Sequence, residues 1–250
     1  MLFVGTSIIH PSTEGVFLLC NILDLLIYRY KPVWALFLVA LVVGVGSNIA
    51  GGAGAYFYTY ILGDMTLMSG VSLVSMITAL VGIFLGPILA NRFGKKQIFV
   101  MAIVVSILFS ALRLIDVRSM LLIYISTVAG GVAGGCIAPL TTSIQADNTT
   151  YVQYKTGKRA EAAIASLTSF ITKVAQGLGG AIPGYVLAAT GFVTGSVAQP
   201  ESINTGIILC VLILPTILTA AGAILFGTQY TLDKKAVEEM HTAIAARSNK

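Results

Sequence analysis

Long apolar runs, sparse charge and a lopsided spread of basic residues predict an all-α fold: a polytopic membrane protein of six transmembrane helices. Hydrophobic residues fill 56% of the 250 positions and only 10% are charged, and the charges gather between the runs. Segments of that kind satisfy their backbone hydrogen bonds internally in lipid, as α-helices do. The net charge of +5 could also suit a nucleic-acid partner. The basic residues, however, sit in short loops beside apolar spans, where the positive-inside rule puts them, so no nucleic-acid partner is expected.

Residues 1–32 read as a cytoplasmic lead-in. Val16 to Tyr28 is too short to span and is interrupted by Asn21 and Asp24, which suits an interfacial amphipathic helix. Met1 to Ser7 carries no basic n-region, so no secretory signal is expected. The membrane bundle is expected over 33–227. Its first span runs from Val33, just after Pro32 at a helix-starting position, to about Leu62. Gly44, Gly46, Ser47, Asn48, Gly51, Gly52 and Gly54 in its middle permit close contact or local unwinding. Tyr56, Phe57, Tyr58 and Tyr60 follow, as an interfacial aromatic belt or as a sugar-stacking surface.

The second span covers about Val71 to Ala90 and ends at the basic turn NRFGKK, Asn91 to Lys96. The third covers about Ile98 to Leu114. The fourth covers about Met120 to Ile144, with Gly130/Gly134 and Gly131/Gly135 as two small-xxx-small pairs expected to pack. A polar cytoplasmic loop, Asp147 to Glu161, leads to a fifth span from Ala162 to Ala189, and the sixth runs from Gly206 to Phe226. Residues 228–250 form a charged amphipathic tail. Cys20, Cys136 and Cys210 have no paired spacing and read as packing residues. His10 and His241 lack metal-ligand spacing, and no phosphate loop or nucleophile motif is present.

Counting basic residues orients the bundle. With both termini cytoplasmic, 12 of the 15 Lys and Arg lie inside, only Arg113 and Arg118 lie outside, and Lys173 remains within the membrane. Lys173 follows Glu161 by 12 residues, about 18 Å along a helix, which is close to the midplane of a core about 30 Å thick. A lysine there costs about 2.5 to 3.5 kcal/mol on insertion scales, so it normally faces a wet cavity or a partner. Ser166, Ser169, Lys173, Gln176 and Gly180 recur at three- and four-residue spacing, with Thr172 adjacent, which puts them on one face. The serines and threonines could equally bond back to their own helix. Asp147 could be a gate paired with Arg159 or another basic loop group, or a helix-ending residue in an aqueous loop.

NRFGKK resembles the basic turn between the second and third helices of each half of the major facilitator superfamily. ADNTTYVQYKTGKRAEA, from Ala146, and GLGGAIPGYVLAATGF resemble the glycoside-pentoside-hexuronide:cation symporter family. Asp147, Tyr151, Thr156, Gly157, Arg159 and Glu161 match that family's loop pattern. Thr150 and Gln153 stand where it carries an aspartate and a glutamate. RYKPVW resembles the start of the family's seventh helix, so the likeness covers nearly the whole chain but only the C-terminal half of a twelve-helix fold. The resemblance implies a C-terminal six-helix bundle with substrate bound near the midplane between two bundles.

The function expected on that basis is movement of a sugar or glycoside across the cell membrane, by symport with H+ or Na+. The candidate substrate-binding residues are Lys173, Gln176, Ser169, Thr172, Asn48, Tyr56 and Tyr60, and the gating residues Asp147, Tyr151, Arg159 and Glu161. No bound cofactor and no enzymatic activity are expected. The resemblance implies a coupling-cation site built from intramembrane aspartates of the family's N-terminal half, and no predicted span here holds an Asp or Glu. That half, or a second copy in a homodimer, and membrane lipid are the expected partners. The alternative is a truncated, non-transporting membrane subunit that binds, scaffolds or senses.

Overall fold

The computed structural model describes residues 31–157, 161–193, 199–232 and 234–248, and the described residues are helical or form short turns. The lead-in helix and Arg159 lie outside them. The helices are α1, Lys31–Leu62; α2, Thr66–Phe93; α3, Lys95–Leu112; α4, Met120–Thr156; α5, Glu161–Ala189; α6, Ser202–Gln229; and α7, Lys234–Ser248. α1 and α6 contain π-helical turns at Phe57–Leu62 and Leu209–Ile213. The bundle has a basic end, at the Asn91 to Lys96 turn, and an aromatic end, at Tyr56 to Tyr60.

Among the described residues five helices, α1, α2, α3, α4 and α6, are long and apolar enough to cross a membrane. The sequence predicts six such spans. α5 has the length, at 29 residues, but its Ser, Thr, Gln, Gly and Lys content lowers its apolarity below that of the others. The fourth span also differs from expectation. Its helix does not stop near Ile144 but runs 37 residues to Thr156, so Asp147 and Tyr151 sit on a helix, not in a loop. Gly157 then takes φ 72°, a left-handed conformation that ends the helix, and its N–H bonds the Gln153 carbonyl at 2.8 Å. A span helix therefore does carry an acidic residue, close to its basic end.

Packing follows a pattern that survives exchange of the first three helices with the next three. α1 packs on α5 and α6, α4 packs on α2 and α3, and α3 meets α6. Swapping α1 with α4, α2 with α5 and α3 with α6 returns the same set of neighbours, as nested three-helix repeats would. α1 and α4 touch at the centre, α3 and α6 close one side, and α2 and α5 part on the other.

Small residues make the crossings, since lipid offers no hydrophobic drive between helices. Gly82 and Gly86 of α2 meet the α4 backbone at Gly135 and Cys136, and Gly131 abuts Thr78. Gly130 and Gly134, expected to pack as well, have no neighbour near enough to touch an added Cβ. They are one residue, or 100°, around the helix from the pair that packs. On α5 it is Gly179 that meets α1, at Val45 and Asn48, while Gly180 and Gly184 face open space. Bulky side chains fill the two ends. Phe99, Phe226 and Tyr230 stack at the basic end, with ring centroids 4.4 and 4.7 Å apart, and Phe57, Ile123, Ile203 and Ile207 are buried at the other.

Candidate functional site

α5 is divided lengthwise. Ile164, Ile171, Ala175, Gly179, Pro183 and Leu187 are buried, several of them against α1, whereas Ser166, Ser169, Thr172, Lys173, Gln176 and Gly180 are all exposed. The helical period alone separates these sets. Lys173 Nζ donates to Gln176 Oε1 at 3.3 Å, one turn along the same face, and has no carboxylate within ion-pair distance among the described residues. The hydroxyls of Ser166 and Thr172 bond the carbonyls of Ala162 and Thr168, each at 2.8 Å, so these two engage their own helix. Each hydroxyl oxygen still has lone pairs to offer.

Asn48 lies where this stripe meets α1, against Gly179, and its amide donates to the Gly44 carbonyl at 2.8 Å. Tyr56 and Tyr60 lie farther away, about 12 to 18 Å along α1 from Asn48. Their rings stack at 6.3 Å and both meet Phe192 edge-on, at 5.5 and 5.9 Å. The structure thus gathers Ser169, Thr172, Lys173 and Gln176 on one surface with Asn48 at its border. It puts the two tyrosines in a separate aromatic cluster.

At the basic end, Asp147 is buried and accepts from Lys95 Nζ at 2.8 and 2.7 Å through its two carboxylate oxygens. The partner comes from the NRFGKK turn, where α3 begins. Sequence reasoning named that turn but not Lys95, because Arg92, Lys95 and Lys96 look alike until the fold sets their directions. Among the described residues it is Lys95 that pairs with Asp147, and Arg92 instead stacks on Phe93 at 5.6 Å. Tyr151 is half-buried one turn beyond Asp147, with Lys155 Nζ 6.0 Å from its ring centre, and Glu161 opens α5 on an exposed turn. A half-open cavity of about 1110 Å³ lies beside the ion pair, lined by Asn91, Lys95, Lys96, Asp147, Leu232 and Glu238 among others. The sequence predicts a wet cavity or a partner at Lys173. In one bundle that residue lines an open side, which a facing surface would have to close.

Arg113, at the aromatic end, entered the sequence reading only as a count toward topology. It is half-buried over the Phe57 ring, and burial lowers its pKa from the usual guanidinium value, opposed by Tyr58.

A helical membrane bundle closed on one side and open on the other, with polar groups along the open side, is built like one half of a two-bundle carrier. The chain belongs to the family described as MFS/sugar transport protein, which matches residues 25–234. It is 29% identical over 226 residues to a protein provisionally named a sulfoquinovose importer in Escherichia coli (strain K12), covering 90% of this chain and 48% of that one. It is 28% identical over 165 residues to the isoprimeverose transporter of Lactiplantibacillus pentosus, covering 64% of this chain and 34% of the other. A glucuronide carrier protein homolog of Escherichia coli (strain K12) is 27% identical over 177 residues, covering 70% and 39%. The chain spans about half the length of the curated relatives it matches.

Proposed function

We propose that this chain is the C-terminal half of a secondary transporter that moves a sugar or glycoside across the cell membrane by symport with H+ or Na+. The observation that carries the reading is the exposed polar stripe of α5 beside the opening between α2 and α5. In lipid, a lysine and a glutamine there would be costly. Against a second bundle they face a shared aqueous site, where the ammonium donates to sugar hydroxyls or balances a carboxylate across the cavity. The N-terminal half of the two-bundle fold is the favoured partner. A homodimer would set two Lys173 ammoniums together with no midplane carboxylate between them. The orientation is with both termini cytoplasmic, on the distribution of basic residues. The family's relatives are carriers, and we read this chain as a carrier too, not an enzyme.

The second reading, a non-transporting subunit, is favoured by the half-length match alone. Radiolabelled sugar uptake separates the two. Purified protein reconstituted alone should show no cation-driven uptake, and co-expression with the first six helices of a related carrier should restore it. Robust uptake by the chain alone would replace the two-part reading with a homodimeric transporter, and no uptake in either setting would favour the non-transporting subunit.

A further inference from the structure

Arg113 directly follows α3, and its guanidinium carbon stands 4.6 Å from the centroid of the wholly buried Phe57 ring. Phe57 begins the π-helical turn of α1, a widened geometry that recurs at functional positions. Stacking holds the cation in place but gives its five N–H donors no acceptor. No described residue supplies one either, and Nε is sealed from solvent without a partner. None of the acids described at this end pairs with it: Glu201 is exposed and makes no bond to Arg113, and the two aspartates engage their own turns. Asp64 accepts from the Thr66 N–H and hydroxyl at 2.8 and 2.6 Å, and Asp116 accepts from the Arg118 N–H at 3.0 Å. Among the described residues the ion pair is Lys95 with Asp147, at the opposite end.

A fixed, partly dry guanidinium with open donors is a receptor for an oxyanion. Its neighbours narrow the choice. Leu114 and Ile115 follow it and are 41% and 77% exposed, and Leu121 and Ile125 on the first turns of α4 are exposed as well. A soluble anion has no use for that apolar collar, whereas a lipid has both an oxyanion and hydrocarbon chains. We propose that Arg113, seated on Phe57, holds the phosphate of a membrane phospholipid whose acyl chains cover Leu114, Ile115, Leu121 and Ile125. α3 borders α2, α4 and α6, and Arg113 sits over Phe57 of α1 and not on the α5 stripe, so this site does not depend on the sugar reading.

Native mass spectrometry of the full chain, purified in a maltoside detergent, tests the proposal. The probes are dioleoyl phosphatidylglycerol, dioleoylglycerol with the same chains and no phosphate, and inorganic phosphate. Wild-type protein should hold one phosphatidylglycerol about tenfold more tightly than dioleoylglycerol, the worth of a charged hydrogen-bonded contact. Excess inorganic phosphate should not displace it. Arg113→Gln should lose the tight site, while Arg118→Gln, which removes the same charge from the same connection, should keep it. Equal affinity of the wild type for the two lipids would overturn the proposal even if Arg113→Gln did not fold. Full displacement by inorganic phosphate would show a soluble-anion site only, and tight binding retained in Arg113→Gln would also refute it.

Discussion

Removing Lys95 should damage the protein more than removing Asp147, although both break the same ion pair. The carboxylate side chain is 9% exposed and the lysine side chain 38% exposed. An exposed pair contributes about 0.2 to 1 kcal/mol. Stranding one member of a fully buried pair costs about 3 to 5 kcal/mol. Lys95→Met strands the buried carboxylate, but the adjoining cavity admits water, so about 2 to 3 kcal/mol is expected. Asp147→Asn leaves an ammonium that can turn to solvent and an amide of the same shape, for a loss of about 1 kcal/mol. The double variant should lose about 1 to 2 kcal/mol, less than the sum of the two, because no buried charge remains. Cys136 and Cys210 are free and buried, so a thiol-reactive dye reports unfolding in detergent. Cys20 should be replaced by serine throughout to remove its background. Equal losses in the two single variants, or a double variant that is their sum, would refute the reasoning.

Three further outcomes are expected. If Lys173 meets substrate, Lys173→Leu in the two-part carrier should insert normally and weaken sugar binding by about 10- to 100-fold, with Lys173→Arg in between. Unchanged uptake by the leucine variant would show a lysine that is merely tolerated. Gly135→Val should lower stability by about 3 kcal/mol, because its side chain would strike the Ala79 carbonyl, while Gly134→Val should be nearly silent in the same melting assay. Single cysteines at Asp64 and Ser202 should react with an impermeant thiol reagent in intact cells, and those at Asn91 and Ser248 should not; the reverse pattern would invert the proposed orientation.

The spans were legible because apolar runs and their punctuation determine where helices lie in lipid. Val33 to Leu62 was recovered to within two residues at its start. Helix rotation was much less legible. Gly130/Gly134 and Gly131/Gly135 are indistinguishable as text, and only the position of α2 decides which pair packs. Polarity misled at Asp147. ADNTTYVQYKT reads as a loop, yet the hydroxyls of Thr149, Thr150 and Thr156 donate to the carbonyls of Gln145, Ala146 and Val152, four residues back, and the helix continues to Thr156. The α5 stripe was visible because a period of 3.6 residues needs no tertiary information. Lys95 and Arg113 were not singled out, since their significance lies in what stands opposite them across the bundle.

The length of α4 makes it a lever. Its 37 residues extend about 55 Å, against a hydrocarbon core of about 30 Å. Its tightest seat is the glycine crossing with α2 near Ala133, some 14 residues, or about 21 Å, short of Asp147. Tilting α4 by 5° about that fulcrum would carry Asp147 about 2 Å sideways, close to the reach of one hydrogen bond. The Lys95 contact therefore acts as an angular stop. It tolerates breathing of a few degrees between α3 and α4, and any larger swing must first release the carboxylate into the neighbouring cavity.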